Sequence, residues 1–224
     1  MTMKKNLIIF IFCSVCVHSF AQHITIKNIE SRLITNQGVE FIGELKDVSN
    51  NEYSYPNWSN RGILFLDSKA YHLSNINFNI TTNSFESRVN RKQLFSFKSA
   101  NLDSVSLNNH LYKKIRDSFY EVLLSKGNGS LLKKYDIEFQ PGIYNRLDGT
   151  VGKSHPFVVF KYLIKFDDKF TLLEFDKKSI LSLVEENFQL TLEGFIEIED
   201  LSYKRENDIV KILEFVFKNS DKMI

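Results

Sequence analysis

Residues 119–139, FYEVLLSKGNGSLLKKYDIEF, place two apolar, β-forming runs, Phe119 to Leu124 and Leu131 to Phe139, on either side of Lys126-Gly127-Asn128-Gly129-Ser130. Tight antiparallel turns need positive φ, which glycine adopts without steric cost. The stretch therefore predicts a β-hairpin, and similar texture surrounds it. Downstream, Phe157 to Phe166 and Phe170 to Phe175 flank Asp167-Asp168-Lys169 and predict a second antiparallel pair, with Val158-Val159-Phe160 reading as strand buried on both faces. Upstream, Val39 to Leu45 has strand composition, and Ile63-Leu64-Phe65-Leu66 turns through Asp67-Ser68-Lys69 into Ala70-Tyr71-His72-Leu73. Ile76 to Ile80 alternates apolar with polar before turning at Thr81 to Ser84 into Phe85 to Val89, the pattern of a strand wet on one face.

From Lys177 the period changes. Ile180, Leu181, Leu183, Val184 and Phe188 form a helical stripe with Asp176 as its N-cap, and Ile209, Ile212, Leu213, Val216 and Phe217 form a second with Ser202 as its cap. Between them Phe195, Ile196 and Ile198, interleaved with Glu193, Glu197 and Glu199, fit a short helix or a strand. Strands first and helices last predict an α+β fold. It is mainly antiparallel β-sheet, sandwich-like or strongly curved, with C-terminal helices packed on one face or end.

The N-terminus carries an address. Lys4-Lys5, an apolar run from Leu7 to Val17 and the exit Ser19-Phe20-Ala21 read as a secretory signal peptide over 1–21, with cleavage between Ala21 and Gln22. The run of about 11 residues is too short to span hydrocarbon, which takes roughly 20. A lipoprotein signal using Cys13 or Cys16 is the competing reading, but Phe12 and Val15 stand where small residues are usual. Residues 22–224 then form a single exported domain, divisible into a β-rich part, 22–110, and an α+β part, 111–224, with no transmembrane segment and a periplasmic or extracellular location.

Removing 1–21 removes both cysteines, which excludes thiol catalysis, zinc–thiolate sites and a disulfide scaffold from the mature chain. It also removes Lys4 and Lys5, so the 29 basic residues of the whole chain fall to 27 against 27 acidic ones. A formally neutral domain lacks the electrostatic footprint of nucleic-acid binding. The 20 phenylalanines raise an outer-membrane barrel, but the helical periodicity and polar tail of the C-terminus argue for a soluble core instead.

Motifs of known chemistry are thin. Gly149-Thr150-Val151-Gly152-Lys153-Ser154 imitates the tail of a phosphate-binding loop, but Leu147 stands where the leading glycine belongs, and His155-Pro156 disfavours a following helix. His23, His72, His110 and His155 lie far apart, without metal-binding spacing, and no nucleophile elbow is present. Asp167-Asp168 reads as a turn, while Glu185-Glu186 and Glu193 to Asp200 read as solvated helix faces that lack the ligand spacing of a calcium loop. No cofactor is implied.

The richest candidate is the loop Tyr53-Ser54-Tyr55-Pro56-Asn57-Trp58-Ser59-Asn60-Arg61, which gathers the chain's one tryptophan with tyrosines and amides. Flat aromatic faces beside amides suit a sugar or peptide ligand, and Tyr53, Tyr55, Trp58 and Arg61 are the candidate ligand-binding residues. The competing reading is that Trp58 folds back to lid the end of the sheet. Lys113-Lys114-Ile115-Arg116 is a second polar patch, suited to an anionic surface.

Trp58-x-x-x-Gly62, Asp67, Tyr71, Asn79, Phe119 to Leu123, Leu131 to Tyr135 and the Lys177-Lys178 helix together resemble a group of uncharacterised exported proteins of the Bacteroidota. The resemblance implies export and a shared fold; it implies no activity and no catalytic residue. The resulting expectation is a non-catalytic binding or interaction module of the cell envelope, its partner a glycan, a peptide or an envelope protein. The alternative is a hydrolase acting on an envelope or extracellular polymer.

Overall fold

The computed structural model describes residues 32–34, 40–66, 69–98, 100, 102–144, 146–147, 149–167 and 169–223. The signal-peptide reading of 1–21, Val39, the Asp67-Ser68 turn, Ile224 and Asp168 lie outside them. Among the described residues thirteen strands are followed by three helices: β1 (Arg32–Ile34), β2 (Glu40–Asp47), β3 (Arg61–Leu66), β4 (Lys69–Ser74), β5 (Ile76–Asn79), β6 (Ser84–Arg88), β7 (Gln93–Phe97), β8 (Ser104–Leu107), β9 (His110–Ile115), β10 (Ser118–Lys126), β11 (Gly129–Gln140), β12 (His155–Phe166), β13 (Lys169–Leu173), α1 (Lys177–Leu181), α2 (Glu186–Ile198) and α3 (Glu206–Lys218).

Every described ladder is antiparallel, as the α+β reading requires. One sheet runs β1-β2-β7-β6-β5, and the other runs β13-β12-β11-β10-β9-β8-β3-β4. The chain passes from β4 of the large sheet to β5 of the small one through Asn75 alone, at φ 59°. The large sheet crosses the 110/111 boundary without interruption, since β9 begins at His110. The hairpin of 119–139 forms as its turn chemistry demands: Lys126 pairs with Gly129, leaving Gly127 at φ 56° and Asn128 as the turn.

A bulge between Val122 and Leu124 matters for everything that follows. Glu121 pairs with Lys133 and Leu124 with Leu131, so Glu121 and Leu124 share a face although they are three residues apart. That face is covered twice. Over β3, β4 and β8–β10 the small sheet packs down in an aromatic cluster, where Phe78, Phe85, Phe95, Tyr112 and Phe119 are at most 1% exposed. Phe85 meets Phe119 edge-on at 5.0 Å and Tyr112 at 5.4 Å. Over the far end the helices cover Leu131, Ile164 and Leu173 with Ile209, Ile212, Leu213 and Val216 of α3, the stripe read from sequence and now wholly buried. Phe217 lies flat on Gly129, where a Cβ would sit 2.6 Å from its ring, so glycine there brings the helix close to the hairpin.

Four local expectations are corrected. The strand 76–79 is not wet on one face: Asn77 and Asn79 are fully buried, because residues 52–57 fold over them. Val158 and Val159 are half-buried and Phe160 is 47% exposed, because this part of β12 has a partner on one side only. The stripe 180–188 belongs to two helices, α1 and α2, separated at Ser182–Glu185, and α2 takes up Phe195, Ile196 and Ile198 as helix. Asp176 does cap α1, accepting the Ser179 N–H at 2.7 Å, but α3 starts after Arg205, and Ser202 instead donates its N–H to Asp208 at 2.9 Å.

Candidate functional site

The loop 53–61 divides into an aromatic half and a polar half with different surroundings. Its first residues run beside β5 almost as a sixth strand: Tyr53 bridges Asn79, the Ser54 N–H donates to the Phe78 carbonyl at 3.0 Å, and the Ile80 N–H donates to that of Glu52 at 2.8 Å. Asn77 completes the attachment, donating to the carbonyls of Tyr55 (2.8 Å) and Asn57 (3.2 Å) and accepting from the Ser54 hydroxyl and the Phe78 N–H. A buried amide with every group paired fixes the loop against the sheet.

The aromatic side chains follow that backbone. Tyr53 donates its hydroxyl to Glu86 at 2.7 Å, and burial together with that carboxylate pushes the phenol well above its ordinary range. Glu86, wholly buried, also takes the Asn79 amide at 2.9 Å and an ion pair from Lys46. Trp58 is half-buried, edge-on to Tyr53 at 5.0 Å and covered by the Arg88 guanidinium at 5.7 Å. Tyr55 packs against the aromatic core, with burial and then Glu121 raising its phenol.

The polar half turns to a groove of about 810 Å³. Ser59 and Arg61 come from the loop, His72 from β4, and Ser106, Asn108 and Asn109 from β8 and its turn. Asn108 and Asn109 both have positive φ, 48° and 70°, the backbone of a two-residue hairpin turn that favours asparagine. That turn is tied to the loop: the Asn108 amide donates to Asn60 at 2.9 Å, the Arg61 N–H donates to the Asn108 side-chain oxygen at 3.2 Å, and the Asn108 N–H donates to the Arg61 carbonyl at 2.9 Å. Among the described residues the groove lining holds Arg61 and His72 and no carboxylate. Of the four candidate residues, the structure thus sets Arg61 in the groove, whereas Tyr53, Tyr55 and Trp58, each half-buried, do not line it.

A second polar cluster lies where the two coverings of the large sheet meet. Glu121, 3% exposed, accepts the Tyr135 hydroxyl at 2.5 Å and is 2.5 Å from Nδ1 of His110, whose side chain is 53% exposed. Burial, with Tyr112 and Glu121 beside it, drives the Tyr135 phenol far above its ordinary range. Directly opposite Glu121 on β11, Lys133 lies 4.3 Å from the centre of the Phe160 ring and 2.8 Å from Glu206, which also accepts the Tyr162 hydroxyl at 2.6 Å. Burial works against ionisation of Glu206, yet the hydrogen bonds from Lys133 and Tyr162 hold its carboxyl below the usual range.

The remaining motifs separate in space. Residues 149–154 form part of the exposed connection between β11 and β12, and His155-Pro156 opens a strand. Lys113-Lys114-Ile115 ends β9 and Arg116 follows in the turn, over the Phe170 ring at 5.6 Å. Glu193 pairs with Lys177 at 2.6 Å. Among the described residues no group of three or more His, Cys, Asp or Glu side chains is placed to hold a metal ion, and no helix is long and apolar enough to cross a membrane. Sequence reasoning passed over Asn108, Glu121 and Glu86, and weighed His110 only for metal-binding spacing. Asn108-Asn109 between two alternating runs is a readable turn signal, whereas nothing local marks Glu121 or Glu86 as buried. No protein-family model matches the chain, and neither the curated proteins nor the solved structures yield a match.

Proposed function

We propose that this chain is an exported, non-catalytic binding module of the cell envelope that seats a polar ligand, a glycan or a peptide segment, in the groove between the 53–61 loop and the β8–β9 turn. The observation that carries this reading is the groove itself, in which a guanidinium, carboxamides and hydroxyls converge on a wall fixed by the Asn60–Asn108–Arg61 hydrogen bonds. Few, well-placed polar groups on a supported wall are what orient a ligand. In this reading Tyr53, Tyr55 and Trp58 hold the loop in place and Arg61 touches the ligand. The export address and the resemblance to exported Bacteroidota proteins support a periplasmic or extracellular setting.

Glycan and peptide arrays, followed by calorimetric titration of any hit, test the proposal. Arg61→Ala removes a charged donor and is expected to weaken binding about tenfold or more with an unchanged melting temperature. Binding that survives both Arg61→Ala and Asn109→Ala, or that disappears only in a folded Trp58→Ala variant, would move the seat away from the groove. The alternative, hydrolysis of an envelope or extracellular polymer, draws on one observation: His110 is half-exposed and held by a buried carboxylate, the arrangement a general base uses. Turnover of a polymer substrate that His110→Ala abolishes would establish it over the binding reading.

A further inference from the structure

The β11–β12 hairpin runs out past both cores: Tyr135, Ile137 and Val158 still pack against the aromatic one, and the stretch from Phe139 to Phe157 lies beyond them. The β10 ladder reaches β11 only as far as Lys133, and the β13 ladder reaches β12 only as far as Tyr162. Beyond them residues 134–140 and 155–161 pair with each other alone. On and around this tip, Leu147 is 98% exposed, Ile143 87%, Val151 68%, Phe139 65%, Tyr144 59% and Phe157 44%. Soluble surfaces scatter single apolar residues; a contiguous group marks a contact.

Three observations select the medium that covers it. Strand alternation puts Phe139 and Pro156 on one face of the hairpin and Glu138 and Phe157 on the other, so apolar surface occurs on both sides, where a protein partner docked on one face would cover half of it. Backbone contacts also close the base of the tip, through the Tyr144–Val151 bridge and the Gly152 N–H donating to the Ile143 carbonyl at 3.0 Å, which lowers the cost of bringing that base to an interface. Finally, 141–154 carries Arg146 and Lys153 against a single acid, Asp148, and His155 follows. Exposed cations beside interfacial aromatics suit anionic headgroups.

We propose that the tip between Phe139 and Phe157 is a membrane-docking element that enters an anionic lipid surface to interfacial depth and holds the domain peripherally against it. This inference is independent of the groove. Flotation with vesicles of phosphatidylethanolamine and phosphatidylglycerol, and separately of phosphatidylcholine, tests it on the full chain. Wild type and variants carry the same N-terminal segment, so a difference between them reads the tip. Wild type is expected to float with the anionic vesicles, and Ile143→Asp combined with Leu147→Asp to bind about tenfold more weakly or less, through loss of two buried apolar side chains. Arg146→Ala with Lys153→Ala is expected to weaken binding to anionic vesicles and leave the phosphatidylcholine result unchanged. The tip lies outside both cores, so all variants should melt as wild type does. Absence of wild-type binding to either vesicle, equal flotation of wild type and the double aspartate variant, or a concentration-dependent dimer that this variant abolishes without any lipid binding would each overturn the proposal.

Discussion

The two coverings of the large sheet solve one problem with different materials. Where the small sheet packs down, the interface is aromatic and edge-to-face, and polar groups are buried to either side of it: Glu121 on the large sheet, and Asn77, Asn79 and Glu86 on the far face of the small sheet, under residues 52–57. Where the helices pack, the fully buried centre is an aliphatic stripe of Ile209, Ile212, Leu213 and Val216, with aromatic rings, stacked rather than edge-to-face, at its border: Tyr162 on Phe175 and Phe195 on Phe215. A helix satisfies its own backbone and can present a purely apolar face. A small sheet has edges and irregular connections, and the groups it buries need partners. The polar side chains of the sandwich half are what tie the 53–61 loop to β5, and the loop is what shapes the groove.

That contrast can be broken experimentally. Phe85→Ala removes a ring lodged among Phe78, Tyr112 and Phe119, and should cost about 4 kcal/mol in chemical denaturation. Because both coverings share one sheet, tryptophan fluorescence from the loop and circular dichroism of the helices should report one coincident transition; two separate midpoints would show the halves to be independent units. Next in size, Glu86→Ala leaves Lys46, Tyr53 and Asn79 without their common acceptor and should cost about 3 kcal/mol. Retention of wild-type stability there would mean that the buried polar groups are not what separates the sandwich half from the helical one.

Smaller effects belong to the helical half. Asp176→Ala deletes the N-cap of α1 and should cost about 1 kcal/mol, read as a shift in denaturation midpoint, while Asp176→Asn should be nearly neutral. Smallest is the acid response of Glu206. Its folded carboxyl titrates below its ordinary value of 4.5, so its contribution is present above that pH and is lost as pH falls through the depressed folded value. Melting curves across that acid window should fall less steeply for Glu206→Gln than for wild type; identical slopes would show that the Lys133 and Tyr162 contacts do not favour the ionised form.

Legibility followed the same division. The α3 stripe and the Asp176 cap were readable because period and capping are local signals. The 119–139 hairpin was readable for the same reason, since glycine reports its own φ. Alternation in 76–80 was read as one wet face because Asn is usually exposed, and only the return of residues 52–57 over β5 makes those amides interior. Val158-Val159-Phe160 failed in the opposite sense: apolar composition suggested two covered faces where Val158 reaches the aromatic core and Phe160 is left 47% exposed. Of the candidate site, composition singled out the 53–61 loop, but which of its residues line the groove and which pack against the sheet was not visible.

By itself the sequence determined the antiparallel strands, their principal turns, the change to helical period after Lys177 and so the α+β class, because each rests on contacts among residues near in the chain. Tertiary structure alone decided which polar groups are interior, that Glu121 and Leu124 share a face across a bulge, that the aromatic half of the loop turns inward while Arg61 opens on the groove, and that an apolar hairpin tip stands exposed. Those outcomes depend on which distant segment covers a given face, and no local pattern of side chains encodes its neighbour.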